Sequence, residues 1–390
     1  MTSFSVMNCR TIERTDGARI AGTLCIDSNH NPEFVAGPHN YGHWLLAFVY
    51  PLFNGTSKLL ASGRPIDVLL SHGHSWGSRY MHTFHHKIEE IFHARCEKNA
   101  KFTSASWPPL QSNAGVDADA HPGRALCDEV VRVSVPFGTM QLDAGYFRHA
   151  HTVRARVLDR LHLGMVPRSR GMASYLATLP PTTMPRIVVI LRNTSARTVV
   201  GLDKACTEPL RVWAMQRLRV NVECVSFTKN STLAQQAAVV GSPTIGLLGV
   251  HGAAMSNVFF TPTGATFAEL HPAIDARLAV RGIHLHLAHA LGIAALPVWL
   301  DQSGARLFPS NPIEVRRNNR TRHLIKGQYT ASMKIKPDVL VDLIRGIAQR
   351  GLQSTSGGHD VGRSWSGEAW RDIVNHSHQT FRSPVDLLWL

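Results

Sequence analysis

From Arg186 to Leu270 the chain alternates short, β-branched apolar runs with stretches of helical character, a rhythm few folds accommodate. Arg186 to Leu191 (RIVVIL) is continuously apolar, as a strand covered on both faces would be. A helical stretch from Asp203 to Leu218 follows, then a strand from Val220 to Val225. A second helix runs from Ser231 to Val240, with Ser231 and Thr232 available as caps. Thr244 to Leu248 and Ala265 to Leu270 read as further strands. Strand and helix alternating at this spacing predict a parallel sheet covered by helices.

Immediately upstream, Leu179 to Pro185 holds three prolines in seven residues. Proline fixes φ and lacks a backbone N–H, so this run reads as a linker. The first half carries a strand at Ile66 to Leu70, a helix near Arg79 to Phe92 and a strand at Val130 to Val135. Ser104 to Gly123, rich in Ala, Pro, Ser, Asp and Gly, reads as a long loop. At 390 residues the chain is long enough for two ordinary domains. The expectation is an α/β protein with one domain over 1–179, a second over 186–350, and a tail over 351–390. A cleft between two such domains is where a ligand would bind.

Hydrophobic residues make up 44% and charged ones 17%, which excludes a disordered chain. The net charge of +14 is compatible with an anionic partner, and an Arg-rich bias from a GC-rich genome would produce it equally well. The longest apolar run, Trp44 to Phe53, is about ten residues, half of what a bilayer needs. The opening MTSFSVMNCR has no apolar core of a signal peptide, which leaves a cytoplasmic protein or a chain without its anchor. Six cysteines at no metal-ligand spacing permit disulfides without indicating them. N-x-S/T triplets occur at Asn54, Asn193, Asn230, Asn319 and Asn375.

The segment that carries chemistry is Gly249 to Phe260 (GVHGAAMSNVFF), directly after a strand. Small residues at Gly252, Ala253 and Ala254 let backbone approach a ligand closely, and a following helix would aim its N–H groups at a phosphate. Open parallel sheets bind ligands at such strand ends. A tight turn that merely packs closely has the same composition.

This segment, with His251-Gly252-Ala253, Asn257, Phe260, Pro262, Gly264 and Glu269 in order, resembles the signature of glycosyltransferase family 61. Asn40 to Leu45 is similar to that family's N-terminal Asn-x-x-His-Trp motif, Cys127 to Gly138 to its mid-chain strand, and Leu191 to Arg197 to its Arg-bearing strand end. Leu287 to Gly292 and Ile335 to Leu343 resemble its closing helices. The chain departs from the family at Ala254-Met255-Ser256, where Gly-Leu-Thr is usual, at Thr198 in place of a second Arg, at Leu202-Asp203 and at Ala234-Gln235-Gln236.

The resemblance implies a GT-B-like architecture, two Rossmann-like domains facing a cleft. It implies an inverting transfer of a sugar (GlcNAc, xylose or arabinose) from a UDP-sugar to a glycoprotein or glycan hydroxyl in the Golgi or endoplasmic reticulum lumen. UDP-sugar is a co-substrate, and no cofactor or D-x-D-bound metal is expected. The departing diphosphate must meet preorganised donors, so Arg192 and Arg197 are its candidate cations, with His251, Gly252, Ala253 and Asn257 completing the donor pocket. Glu269 suits the ribose hydroxyls, and His43, before an apolar helix, is the candidate base for the acceptor hydroxyl.

Rival constellations are weaker. His82, His85, His86 and His93 share a helical face that could serve a metal hydrolase, but no carboxylate or Cys completes the set. Asp117-Ala118-Asp119 has D-x-D form but no strand leads into it. Arg316, Arg317, Arg320, Arg322 and Lys326 could bind nucleic acid, but without an aromatic platform they read as a solvated loop.

Overall fold

The structure, a computed structural model, describes residues 6–8, 23–27, 41–54, 67–71, 129–133, 144–164, 172–192, 198–228, 230–272, 283–300, 306–307 and 333–353. Two compact units result, Met1–Phe137 with Asp159–His162, and Gly138–Leu158 with Leu163–Leu390.

In the first unit, strands β1 (Val6–Asn8), β2 (Thr23–Asp27), β3 (Asp67–Ser71) and β4 (Glu129–Arg132) form a sheet in the order β1-β4-β2-β3. β2 runs parallel to β3 and β4, and β1 antiparallel to β4. Helix α1 comprises the successive stretches Tyr41–His43, Trp44–Val49 with π-type bonding, and Tyr50–Asn54. Its apolar run is buried, with Leu45, Leu46, Ala47, Phe48 and Leu52 all at 0% exposure. The helix anticipated near 79–92 and the loop over 104–123 lie outside the described residues.

The second unit begins with helix α2 (Ala150–Arg160), whose last two residues are counted with the first unit, and helix α3 (Met172–Leu176). It continues through β5 (Arg186–Ile190), β6 (Val199–Val200), α4 (Glu208–Leu218), β7 (Asn221–Val225), α5 (Leu233–Val240), β8 (Thr244–Val250) and β9 (Thr266–Pro272). Helix α6 (Ile283–Ala290), β10 (Ala294–Leu300), β11 (Arg306–Leu307), β12 (Met333–Lys334) and α7 (Pro337–Gln353) close it. Its main sheet has the order β11-β10-β9-β8-β5-β7. From β10 to β7 every pairing is parallel, and β11 adds an antiparallel edge. The α/β reading with a parallel sheet holds, and each apolar run singled out after Pro185 is a strand of it.

Local chemistry accounts for the details. α4 starts at Glu208 rather than in one piece from Asp203: a 3-10 turn, Leu202–Cys206, precedes it, and Thr207 between them is extended. Pro209, without an N–H, is tolerated only in a helix's first turn, so the helix begins beside it. α5 is opened by Thr232 and not Ser231, because Thr232 Oγ1 accepts from the Gln235 amide (3.0 Å) while Gln235 Oε1 accepts from the Thr232 amide (2.9 Å). β8 is buried at all seven residues, as a strand with helices on both faces must be. Gly246 permits the close cover on one face: a Cβ there would lie 2.0 Å from Cγ2 of Ile347 in α7.

Two expected boundaries move. The prolines at 180–185 form turns between α3 and β5 but do not divide the domains, because Met172 and Tyr175 of α3 share a core with Ile187, Val189, Ile344 and Ile347. The division lies near residue 137. At the other end α7 carries three residues past 350, to Gln353, so the tail starts later than expected. A disulfide joins Cys206, in the 3-10 turn, to Cys224 of edge strand β7 across a separation of 18 residues. No helix among the described residues is long and apolar enough to cross a membrane.

Gly246→Ala should destabilise the chain by about 1–3 kcal/mol through overpacking against Ile347, read as a lower chemical-denaturation midpoint. Replacing Cys206 and Cys224 together with serine should lower stability by about 3 kcal/mol, from the lost loop closure, in the same measurement.

Candidate functional site

The carboxyl ends of β8 and β9 are adjacent, with Val250 paired to Leu270. The next residue along, His251, donates its backbone N–H to Leu270 O (3.1 Å), so the strand's pairing delivers the His251-Gly252-Ala253 segment to the sheet edge. A 3-10 helix, Ala253–Phe260, follows where an α-helix was anticipated, and Met255 N donates to Gly252 O (2.9 Å) at its start. Below it, Arg154 of α2 is buried and donates to Thr261 O (2.6 Å) and Thr263 Oγ1 (2.8 Å), fixing the turn that leads into β9.

Arg192, two residues beyond β5, reaches this loop: its Nη1 donates to His251 O at 3.4 Å. Gly252 makes the approach possible, since a Cβ there would lie 2.5 Å from Arg192 Nη1. A guanidinium thus lies over a glycine at the carboxyl end of a parallel sheet, the geometry expected of an anion subsite.

Glu269 is the centre of the polar network. Its side chain is 0% exposed. Oε1 accepts from His251 Nδ1 (2.9 Å) and His284 Nδ1 (2.7 Å), and Oε2 lies 3.3 Å from His271 Nε2. Burial pushes the Glu269 carboxyl up, but the surrounding imidazoles of His284, His251 and His271 outweigh it and hold the group well below the usual carboxylate range. Burial pushes His251 down to about 4, against the pull of Glu269, so it is neutral at neutral pH. An ionised carboxylate only accepts, so both Nδ1 atoms carry their protons towards it. On its other side, His284 Nε2 is hydrogen-bonded to Ser256 Oγ at 3.0 Å.

Ser256, His284 and Glu269 therefore have the connectivity of a serine nucleophile, its base and an orienting acid. Ser256 is 0% exposed, so no substrate reaches its hydroxyl, and the chain of bonds is a positioning network.

The structure places the expected residues as follows. Arg192, His251, Gly252 and Ala253 come together at the sheet edge, with His251 and Ala253 part-exposed. Asn257 is fully buried and donates through Nδ2 to Gln236 Oε1 and Ala254 O (both 3.0 Å), which pins the 3-10 helix to α5. Glu269, equally buried, holds His251 and His284 rather than offering an oxygen to ribose. Both expectations of direct ligand contact are corrected by burial. His251, being neutral, brings no positive charge to a phosphate. His43 ends the first stretch of α1 and is half-buried. Arg197, the histidines at 82–93, the D-x-D at 117–119 and the basic run at 316–326 lie outside the described residues.

His271, His284 and Ser256 were not singled out from sequence. Glu269 and His271 are two apart on a strand and so share a face, the one pattern that could have linked them. His284 arrives by tertiary packing alone. Compared with known proteins, the chain matches no family model and no curated protein.

The network makes the fold acid-sensitive. Below the ordinary histidine value of 6.5 the unfolded chain takes up a proton that folded His251 refuses until about 4, so stability is lost as pH falls through that window. The depressed Glu269 adds a loss below the ordinary 4.5, where the unfolded carboxyl protonates first. The melting temperature should fall on acidification from neutral pH, and His251→Asn should flatten the upper part of that fall.

Proposed function

We propose that the chain is an inverting glycosyltransferase, taking a UDP-sugar as donor and a glycoprotein or glycan hydroxyl as acceptor. The observation that carries the reading is the Arg192 guanidinium held over Gly252 at the carboxyl ends of β5 and β8. Sugar transfer leaves negative charge on the departing diphosphate, and a fixed cation with small-residue backbone beside it stabilises that charge where it develops. The likeness of the His251-Gly252-Ala253 segment to family 61 selects glycosyl transfer from among the anion-binding chemistries that such a strand end can host.

Roles are assigned accordingly. Arg192 binds the diphosphate, with Arg197 as second cation, and Gly252 and Ala253 supply close backbone. Glu269 orients His251, and Asn257 holds the 3-10 helix in register. His43 takes the proton of the acceptor hydroxyl, and the two-domain GT-B arrangement belongs to the same reading. The Cys206–Cys224 disulfide supports an oxidising compartment such as the Golgi or endoplasmic reticulum lumen.

A hydrolysis screen over a panel of nucleotide sugars tests activity and donor together, and turnover of none of them, with no binding of UDP, would overturn the reading. Arg192→Ala should weaken UDP binding by roughly 1.5–3 kcal/mol, the range for a charged hydrogen bond. Gly252→Ala should weaken UDP comparably, because the new methyl displaces the guanidinium, and should also lower the melting temperature, because the backbone there (φ 159°, ψ 179°) is one that only glycine adopts freely. His43→Ala should lower transfer while leaving UDP affinity as it was.

A further inference from the structure

Three imidazoles and one carboxylate converge beneath the His251 loop, a donor set richer than anion binding requires. We infer that His251, Glu269 and His271 form a binding site for a divalent cation of the zinc class.

One ligand atom from each of these residues lies within 4.8 Å of the other two. The fold enforces the convergence. Glu269 and His271 are alternate residues of β9 and face the same side, and the parallel pairing of Val250 with Leu270 puts His251 beside His271. The rings of His251 and His271 lie 5.1 Å apart, centroid to centroid. Two imidazoles with one carboxylate are what zinc takes when a coordination position is left for water or substrate. Imidazole also distinguishes this set from the all-oxygen ligands preferred by magnesium and calcium.

The surroundings fit. A metal-ligating group needs outer partners that fix its orientation. His284 Nδ1 donates to Glu269 Oε1 at 2.7 Å, and His284 Nε2 is in turn hydrogen-bonded to Ser256 Oγ at 3.0 Å. Glu269 and His271 are both 0% exposed, and a buried carboxylate is paired or coordinates a metal, because an unmatched one is expensive to desolvate. His251, at 13% side-chain exposure, is the member through which an ion and any further ligand would enter. Arg192 touches the same residue's carbonyl, so the ion and the guanidinium would present their charges side by side. This cation differs from a D-x-D-bound one, and the inference stands on the cluster alone, independently of the glycosyltransferase reading.

The test uses the full chain, stripped with EDTA, freed of chelator and titrated with zinc chloride, with bound metal per chain and melting temperature as readouts. Zinc is expected to bind at one ion per chain and raise the melting temperature, since a ligand of the native state stabilises it. Magnesium at the same concentration is expected to do neither. His251→Asn, at a part-exposed position, should fold and bind zinc at least tenfold more weakly, and His271→Asn should do the same. Circular dichroism confirms that each variant is folded. A folded wild-type chain that takes up no zinc would overturn the inference. So would a zinc affinity equal in wild type and both variants, which would put the ion on other histidines.

Discussion

Strand β8 is buried at every residue, and the second unit is organised around that fact. It is paired to β5 on one side and β9 on the other, with α7 pressed on a face where Gly246 has no side chain. A strand with no exposed position has one exit for polar chemistry, its carboxyl end. His251 is the first residue past that end, and the loop that follows is therefore where the unit can meet a ligand.

The apolar strand also explains why the polar cluster is so tightly bonded. Glu269 sits beside Gly249 in the sheet, among residues such as Phe267, Leu270 and Leu287 that are fully buried. In such surroundings an isolated carboxylate would take up a proton rather than remain charged. The imidazoles of His251, His284 and His271 keep it ionised, and Ser256 completes the bonding of His284. Rigidity follows: His251 is held from its backbone by Leu270 and from its ring by Glu269.

Part of this unit was legible in the sequence, because β5 is a continuous β-branched run and α5 carries a capping box. RIVVIL could scarcely be other than a buried strand, and Thr232 with Gln235 announces a helix start. The His251-Gly252-Ala253 segment was found for a similar reason, a run of small residues after a strand. What escaped were contacts without a local signature. His284 reaches Glu269 across 15 residues of sequence through the packing of α6, and nothing in IHLHLAHA marks one histidine of the three. Glu269 looked like a strand-end carboxylate open to ribose, because the sequence does not say that α6 and the 3-10 helix close over it. The prolines before β5 looked like a domain boundary because they break regular structure, whereas the boundary is decided by which core Met172 and Tyr175 join.

The order of residues along the chain has a consequence for biogenesis. Cys206 and Cys224 both lie within the stretch from β5 to β7, and these two strands pair directly. This stretch leaves the ribosome ahead of His251, Glu269 and His284, and domains assemble from the N-terminal side during synthesis. The crosslink can therefore close on a half-sheet that has no polar cluster yet, so its oxidation does not wait for the site to form. Any thiol-directed quality control acting on these cysteines would inspect the β5–β7 edge and be blind to errors in the histidine network.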